Sequence, residues 1–319
     1  MAYSQGGLIA ATDYNNFVGG NPATGSGTIN AVWATGNGQY GYGQTPLSQA
    51  AATGGTVTAT QWATLINTMN SVSTHQSGSG TGLTVPTAGA LITYLSAVSG
   101  DLGTYYTNHL NFASQGSTTT GSVIGAGISA ANNVTYGLST FATRTATFAS
   151  VDQARYFFNA GGQLNLVITG VTNNDGTARS TDAVNTIGTY FGGLSAFRAT
   201  TNGGRTGTGG TVNTNATGIG YYGLTTSAQT LSQITTTSST YAGDYFVLNA
   251  LTNGTAGSNA ANGNVITFNL QYYSAHTSTT SGLYGSSGDT LNVTVNHRID
   301  IVYPETTNLT NSWGTVTIA

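Results

Sequence analysis

The sequence has 319 residues, of which only 5% are charged against about 25% in an ordinary globular protein, and its formal net charge is −3. All six basic residues are arginines, which excludes a lysine-dependent Walker-type phosphate loop and leaves no basic cluster for binding nucleic acid. Cysteine is absent, which excludes disulfides and thiolate zinc sites; without a basic leader or an apolar run of about 18 residues, we expect neither a secretory signal nor membrane insertion.

A short repeat lies near the start of the chain. Residues 6–18 (GGLIAATDYNNFV) align with residues 54–66 (GGTVTATQWATLI). Each copy predicts a short strand, a threonine N-cap and a helix with an aromatic residue in its first turn. In the second copy, the cap is Thr60 and the apolar spacing predicts that the helix continues to about His75. The repeat indicates either two equivalent docking elements or two uses of a common strand-to-helix motif.

Between the two copies, residues 30–44 are rich in glycine and aromatic residues, and we call them the aromatic loop. Trp33, Tyr40 and Tyr42 are its candidate surface contacts, because exposed rings at these positions would stack on sugars or on a neighbouring subunit. The alternative is that the rings pin the loop to its own domain.

A helical pattern with a heptad seam follows the serine- and glycine-rich linker at residues 76–82 and Pro86. Its apolar residues step by four and three over about three repeats. Gly100 and Gly103 weaken this helix by about 1 kcal/mol each relative to alanine, so the seam needs a partner, which is either the same chain or a neighbouring copy. The seam residues form the candidate subunit interface: Leu91, Leu95, Val98, Leu102, Tyr105, His109 and Phe112.

Residues 150–170 form the stretch around which we expect the fold to be organised. Ser150 and Gln153 predict a capping box at the start of a helix, and the glycines at 161 and 162 predict its end. Arg155 lies within this helix, and alternating apolar residues over 163–169 predict a half-buried strand. We expect the helix in the core, joining a largely helical N-terminal half to a strand-rich C-terminal half.

Beyond residue 170 the pattern predicts a turn at residues 173–176 (NNDG), a helix over residues 181–198 and a long surface loop over residues 200–217. Strands with alternating apolar residues then follow at residues 245–249, 265–273 and 291–303. The last of them has one apolar face and one wet face, which ends at Asp300. Several such strands separated by Gly, Asn and Ser turns favour a sandwich.

These elements predict an α+β fold, in which a helical and partly extended N-terminal region precedes a β-rich, sandwich-like C-terminal domain. Residues 1–82 are an arm with the repeated strand-cap-helix elements. Residues 83–149 are a long helix and a low-complexity connector, rich in Ser, Thr, Gly and Ala over residues 114–133. Residues 150–319 are the β-rich domain with inserted helices.

No residue pattern indicates a reaction centre. Residues 125–130 (GAGISA) match a dinucleotide fingerprint, but no apolar strand precedes them and no acidic residue lies about 20 positions further on. Residues 173–176 contain only a fragment of a calcium loop. The histidines lack metal-ligand spacing, and no spacing pairs the carboxylates for glycosidase chemistry. We therefore predict no enzyme activity, no catalytic residue, no cofactor and no metal site; the residues weighed are His75, His109, His276, His297, Asp244, Asp289, Asp300 and Glu305.

Three segments resemble parts of virion structural proteins of tailed bacteriophages, including phages of cyanobacteria. They are residues 154–164 (ARYFFNAGGQL), residues 57–76, which form a capped helix with Trp62, and residues 38–44 (GQYGYGQ). The resemblance implies a non-enzymatic particle component of the tail, baseplate or fibre region. It implies a location in the virion after synthesis in the host cytoplasm, with copies of itself and other virion proteins as partners.

The composition agrees with this resemblance. A surface of Thr, Ser, Asn, Gln and Gly gives little charge repulsion between copies, which is typical of a protein that packs as a homo-oligomer. Two other functions stay open. A glycan- or receptor-binding tail protein would grip a host surface glycan with the aromatic loop, and the subunit of a bacterial extracellular filament would pack in the same uncharged way.

Overall fold

The computed structural model describes residues 11–19, 27–50, 56–90, 92–129, 137–254, 263–275 and 290–319. The predictions for residues 6–10 and 54–55, for Leu91, for His276 and for Asp289 lie outside these residues. Within them the chain forms six α-helices and eleven strands, and the strands lie in two antiparallel sheets. The fold is therefore a β-rich α+β fold.

Four of the helices belong to the N-terminal region: α1 (Ala11–Val18), α2 (Ile29–Trp33), α3 (Ala59–Ser77) and α4 (Leu95–Thr107). Helix α3 begins at a capping box, in which the Thr58 hydroxyl accepts from the Gln61 N–H and the Gln61 side chain accepts from the Thr58 N–H. The cap lies two residues before the predicted Thr60, and residues 56–58 form no strand. The predicted extension of this helix to His75 is confirmed, and Gly78 ends it in the left-handed conformation at φ +79°.

The two copies of the repeat pack against each other. Tyr14 of α1 and Trp62 of α3 occupy equivalent repeat positions, and their rings meet edge to face with centroids 5.6 Å apart. Phe17 meets the same indole at 6.1 Å, and all three side chains are buried. The repeat therefore builds a core contact within the chain, so its aromatic side chains have no exposed surface for docking a partner.

The strands are, in chain order, β1 (Gln115–Thr119), β2 (Ile124–Ser129), β3 (Gly137–Thr147), β4 (Gln163–Asn173), β5 (Gly193–Phe197), β6 (Thr211–Asn215), β7 (Gln229–Thr235), β8 (Tyr245–Thr252), β9 (Val265–Ser274), β10 (Asn292–Pro304) and β11 (Thr317–Ile318). In the first sheet, β10 pairs with β4 on one side and with β1 and β2 on the other, and β4 pairs with β5. The second sheet has the order β11-β3-β9-β8-β7-β6. Three strands of the predicted connector, β1 to β3, thus pair with strands from the C-terminal half.

Strand β10 shows the predicted alternation over most of its length. The odd-numbered residues from 293 to 301 are buried, and the even-numbered residues from 292 to 298 are half-buried. The solvent-facing side of β10 was predicted to extend to Asp300, but it ends before this residue, because Asp300 is buried. Its carboxylate accepts from the Gly121 N–H at 3.0 Å and pairs with Arg298 at 2.8 Å.

The helix predicted over residues 181–198 is too long. Helix α6 (Ala178–Val184) continues as a π-helix (Asn185–Phe191), and Gly192 ends it at φ +70° before β5 begins. The apolar spacing could not distinguish a helix from a strand here, because Leu194 and Phe197 are buried in β5 just as they would be on the inner face of a helix.

The predicted turn at residues 173–176 is confirmed. The Asn173 side-chain oxygen accepts from the N–H groups of Asp175 and Gly176, as asparagine does in an Asx turn. The loop predicted over residues 200–217 is wrong in its second half, because residues 211–215 form β6 and pair with β7.

The remaining helix, α5 (Val151–Asn159), lies in the core as predicted. The Ser150 hydroxyl caps it by accepting from the Gln153 N–H at 3.1 Å. Phe158 meets Phe197 of β5 edge to face at 6.1 Å, and Phe197 meets Phe268 of β9 at 5.4 Å. This chain of rings joins α5 to both sheets.

Candidate functional site

Helix α5 holds the aromatic loop through a buried arginine. One terminal nitrogen of Arg155 donates to the Thr35 carbonyl at 2.9 Å, and the other donates to the Gly38 carbonyl at 3.2 Å. Its charge is paired with Asp152, one turn earlier, at 2.8 Å. Arg155 is 3% exposed, which confirms its predicted place in the core. The guanidinium therefore fixes a loop that lies about 120 residues away in the sequence.

Asn159, at the end of α5, holds the same loop further along. Its side-chain N–H₂ group donates to the carbonyls of Gln39 at 2.8 Å and Gly41 at 2.9 Å. Its side-chain oxygen accepts from the Tyr222 hydroxyl at 2.6 Å. Burial raises the pKa of Tyr222, so this hydroxyl keeps its proton and remains a donor. The amide of Asn159 is thus satisfied on both sides, as a buried polar group must be.

Tyr42 joins the aromatic loop to the C-terminal end of α3. Its hydroxyl donates to the His109 carbonyl at 2.9 Å and accepts from the Gln76 side chain at 2.9 Å. The Gln76 amide also donates to the Tyr105 carbonyl at 3.0 Å, which brings α4 into the same network. Burial raises the pKa of Tyr42. Tyr42, Gln76 and Tyr105 therefore fasten three N-terminal segments together.

The C-terminal segment, residues 305–319 after the end of β10, bonds to the aromatic loop at Gln44. The Gln44 amide nitrogen donates to the Thr310 carbonyl at 2.8 Å, and its oxygen accepts from the Thr310 N–H at 2.9 Å. The Ser312 hydroxyl donates to the carbonyl of Tyr42. These reciprocal bonds join two segments about 266 residues apart in the sequence.

A buried histidine–carboxylate pair completes the contacts. Nδ1 of His75 lies 2.9 Å from Oε1 of Glu305, and both side chains are buried. The other carboxylate oxygen accepts from the N–H groups of Thr307 at 2.6 Å and Asn308 at 2.9 Å. Burial alone would raise the pKa of Glu305, but the hydrogen bonds from His75, Asn308 and Thr307 lower it to about 2.

These groups form one connected site, which we call the junction. It joins the aromatic loop, α3, α5 and the C-terminal segment, and its side chains are bonded to the chain itself. Its members are Tyr42, Gln44, His75, Gln76, Arg155, Asn159 and Glu305. This arrangement holds four segments, which are far apart in the sequence, in one fixed geometry.

The structure corrects one of the three candidate surface aromatics. Tyr42 is 0% exposed, so it has no face for a sugar or a neighbouring subunit. Trp33 is half-buried, and its indole N–H donates to the Thr45 carbonyl at 2.9 Å. Tyr40 is half-buried and stacks on Tyr106, with ring centroids 4.0 Å apart. The rings pin the loop to its own chain, which is the alternative that the sequence left open.

The candidate subunit interface on α4 is also corrected. Val98, Leu102 and Tyr105 are 0%, 1% and 6% exposed, and α4 packs against α1, α2 and α3. Because almost none of their surface is left, these three side chains have nothing to bury against a second copy. At these three positions the seam is an intramolecular contact.

The seam residues at either end differ from those in the middle: Leu95 is the first residue of α4, and His109 and Phe112 lie beyond its end. Leu95 is half-buried and packs against the core, and Leu91 lies outside the described residues. His109 follows the end of α4, is buried, and has a pKa lowered by that burial. Phe112 lies further along, with the Arg198 guanidinium 5.2 Å from its ring centre.

Arg179 and Asp244 form a second buried pair, which lies away from the junction. Arg179 lies 3.6 Å from Asp244, whose carboxylate also accepts from the Tyr272 hydroxyl at 3.3 Å. In the part of the chain that the structure describes, no group of three or more His, Cys, Asp or Glu side chains is placed to hold a metal ion. None of the helices described is both long and apolar enough to cross a bilayer.

In comparisons with protein-family models, with curated proteins and with solved structures, nothing matches this chain.

Sequence reasoning singled out Arg155 and the ARYFFNAGG segment but missed the partners of the junction. Gln44, Gln76 and Asn159 lie in the segments that carry the resemblance, but nothing in the sequence indicated what they bond to, because an amide that bonds to backbone carbonyls needs no partner of a given residue type. Glu305 is one of nine acidic residues, and that scarcity was the one available hint that it has a structural role.

Proposed function

We propose that this chain is a non-enzymatic structural subunit of a tailed-phage virion, associated with the tail as a fibre, baseplate or connecting element. In this proposal it is made in the host cytoplasm, assembles in multiple copies, and has other virion proteins as further partners. The helical N-terminal region anchors the subunit, and the two sheets form a sandwich-like domain that meets the next copy.

The observation that carries the proposal is the position of the charged side chains. Among the described residues, Asp175 is the one charged residue in the exposed class, and the others are buried or half-buried. Asp152, with 48% of its side chain exposed, is paired with Arg155. Solvent therefore meets a surface of neutral polar groups, and such surfaces approach one another with little repulsion.

The segments that resemble virion proteins give further support. Residues 38–44, 57–76 and 154–164 are far apart in the sequence, yet each contributes side chains to the junction. The resemblance thus falls on residues that build the fold. This agrees with a shared structural role better than with a shared reaction.

Immunogold electron microscopy tests the proposal. Antibodies against the purified chain are applied to intact particles of the phage that carries this sequence, and to the host cells as a control. We expect label on the tail, and tail and capsid genes on both sides of the gene. Label on cell-surface filaments, with pilus or secretion genes as neighbours, would support the filament alternative and overturn the proposal.

The mass in solution gives a second test. Light scattering of the purified chain is expected to show multiples of its 32.3 kDa mass as concentration rises. A chain that stays a monomer at every concentration and turns over a substrate would contradict a structural role.

A further inference from the structure

A cavity of about 490 Å³ opens where the N-terminal region meets the first sheet. It lies beside the junction, since Gln76 and Phe158 form part of its wall. Its volume falls within the range of about 300–1,000 Å³ that is usual for small-molecule sites. Its remaining lining residues are Leu110, Asn111, Phe112, Arg198, Thr200 and Thr201, with Ala199.

Arg198 is the charged residue of this wall. Its Nε donates to the Gln163 side chain at 3.0 Å, and its guanidinium carbon lies 5.2 Å from the centre of the Phe112 ring. Among the described residues no carboxylate pairs with Arg198, Arg144 or Arg205, whereas Arg155, Arg179 and Arg298 each have one. The guanidinium is therefore oriented by a neutral partner and a ring, and its charge is not matched within the described chain.

The turn that carries Arg198 is fixed before any ligand arrives. The Arg198 N–H donates to the Thr201 carbonyl at 2.8 Å, and the Arg198 carbonyl accepts from the Tyr221 N–H at 2.8 Å. The Tyr222 N–H donates to the Ala199 carbonyl, also at 2.8 Å. A wall held in this way loses little conformational entropy on binding, which favours affinity.

The lining indicates the chemical class of the ligand. A guanidinium presents parallel N–H donors that match a carboxylate, and the single charge of Arg198 balances one carboxylate but only half the charge of a phosphate dianion. The neutral amide and hydroxyl groups of Asn111, Thr200 and Thr201 suit the hydroxyl groups of a sugar ring. We infer that this cavity binds a carboxylated saccharide of the uronic-acid class, with Arg198 on its carboxylate.

A second copy of the chain is a poor source of this carboxylate. Both oxygens of Asp175, an exposed acidic residue, accept hydrogen bonds, from Thr177 and from Thr290, and the partly exposed Asp152 is paired with Arg155. The described acidic side chains are therefore poor ligands for this cavity, and we place the ligand outside the protein. The inference concerns a cavity in the isolated chain, and its test does not require a virion.

Ligand titration of the purified chain by saturation-transfer NMR and calorimetry tests the inference. The probes are methyl glucuronide, methyl glucoside as the neutral match, a glucose sulfate, and acetate as a carboxylate without a ring. Methyl glucuronide is expected to bind in the millimolar range, and the other three are each expected to bind at least tenfold more weakly.

Variants identify the site. Arg198→Gln is expected to weaken methyl glucuronide binding at least tenfold, and Arg198→Lys several-fold, because lysine keeps the charge but lacks the planar fork. Arg298→Gln is the matched control and is expected to leave binding unchanged, because Arg298 is already paired with Asp300 on β10. Thr201→Ala, at an exposed position of the wall, is expected to weaken methyl glucuronide binding without touching the Arg198–Phe112 packing. Thermal melting confirms that each variant is folded.

Several results would overturn the inference. Equal affinity for glucoside and glucuronide would remove the role of the carboxylate, and equal affinity for acetate would remove the role of the sugar. Tighter binding of the glucose sulfate than of methyl glucuronide would show that the cavity selects a different class of anion. Unchanged binding by Arg198→Gln, or equal losses in Arg198→Gln and Arg298→Gln, would place the ligand elsewhere.

Discussion

Glu305 illustrates how this chain uses one of its few ionisable groups. The carboxylate is buried, and it accepts from two backbone N–H groups, from the Asn308 amide and from His75. These donors favour the charged form by more than burial disfavours it, so the pKa of Glu305 is lowered to about 2. The ionised carboxylate is therefore part of what holds α3 to the C-terminal segment.

This shift predicts a loss of stability in acid. The pKa of Glu305 is lower in the folded chain than its ordinary value of 4.5, so its contribution is full above about pH 4.5 and is lost as the pH falls toward 2. Glu305→Gln is expected to lower the free energy of unfolding at pH 7 by up to about 3 kcal/mol and to flatten its fall between pH 5 and 2. Urea unfolding at pH 7, 5 and 3 measures both effects.

Asp101→Asn is the control, because the pKa of Asp101 is shifted in the opposite direction to that of Glu305. Burial raises the pKa of Asp101, so removing its charge is expected not to reduce stability at pH 7. If Glu305→Gln kept the full acid dependence of the unmodified chain, the contribution of Glu305 would be refuted.

At the level of single residues, the sequence predicts burial better than partners. The position of Arg155 in a core helix could be predicted from the apolar spacing around it. Its acceptors could not, because Thr35 and Gly38 offer backbone carbonyls, which every residue has. The same limit applies to Tyr42, since nothing in a glycine-rich segment distinguishes an exposed ring from one that donates to a distant carbonyl.

Among the elements, the aromatic loop depends on a close approach of its own backbone. At Gly41, with φ +97°, an added Cβ would lie 2.2 Å from the Thr35 carbonyl oxygen. At Gly38, with φ +63°, an added Cβ would meet nothing within 4 Å. Both positions have the left-handed conformation, but of the two only Gly41 lies directly against the backbone of the loop itself.

These two glycines form a matched pair for mutation. Gly38→Ala is expected to cost about 1 kcal/mol, the backbone strain alone. Gly41→Ala is expected to cost about 3 kcal/mol or more, because the backbone has to move and the bonds from Arg155 and Asn159 are disturbed. Thermal and urea unfolding of both variants measure the difference. Equal losses would show that the loop tolerates a side chain at residue 41.

Helix α4 gives a test of the corrected seam. Leu102→Ala is expected to lower the free energy of unfolding by about 2–5 kcal/mol, because the side chain is 1% exposed and leaves a cavity. Ser99→Ala, on the exposed face, is expected to change it by no more than about 0.5 kcal/mol. Neither variant is expected to change the mass in solution, as measured by light scattering. Dissociation of an assembly by Leu102→Ala alone would restore the seam as a subunit contact.

The elements that the sequence predicted well are those with local signals. Capping residues and apolar spacing predicted α3, α5 and β10, whereas the strands β1 and β2 lie in a low-complexity segment without alternation. These two strands form because they pair with β10. Their partner lies more than 150 residues away in the sequence, so the pairing requires no apolar alternation within β1 or β2 themselves. The heptad spacing of α4 predicted burial correctly, but the spacing is the same for a partner helix in the same chain and in another.

For the molecule as a whole, the sequence correctly predicted a mixture of helices and antiparallel strands. It did not predict that the two repeat copies meet at Tyr14 and Trp62, or that the C-terminal segment returns to the aromatic loop through Gln44. The first contact joins two N-terminal helices, and the second joins the C-terminal segment to the N-terminal region. The junction therefore makes the helical region and the sheets depend on each other, so a change at Arg155 or Glu305 is felt in both.

The neutral surface leads to a prediction about self-association. Charged groups that are exposed interact over roughly 30 Å at about 10 mM salt and about 3 Å at 1 M, so assemblies held by them dissociate as salt rises. Among the charged residues in the described part of this chain, only Asp175 is exposed as a whole residue. Copies of the chain are therefore expected to associate through neutral polar and apolar contacts. Light scattering or sedimentation between about 20 mM and 500 mM NaCl is expected to show less than about a twofold change in the dissociation constant. Asp175→Asn, which removes the exposed carboxylate, is expected to behave in the same way. An assembly that dissociates on raising the salt, or on making this substitution, would show that a few charges hold the copies together.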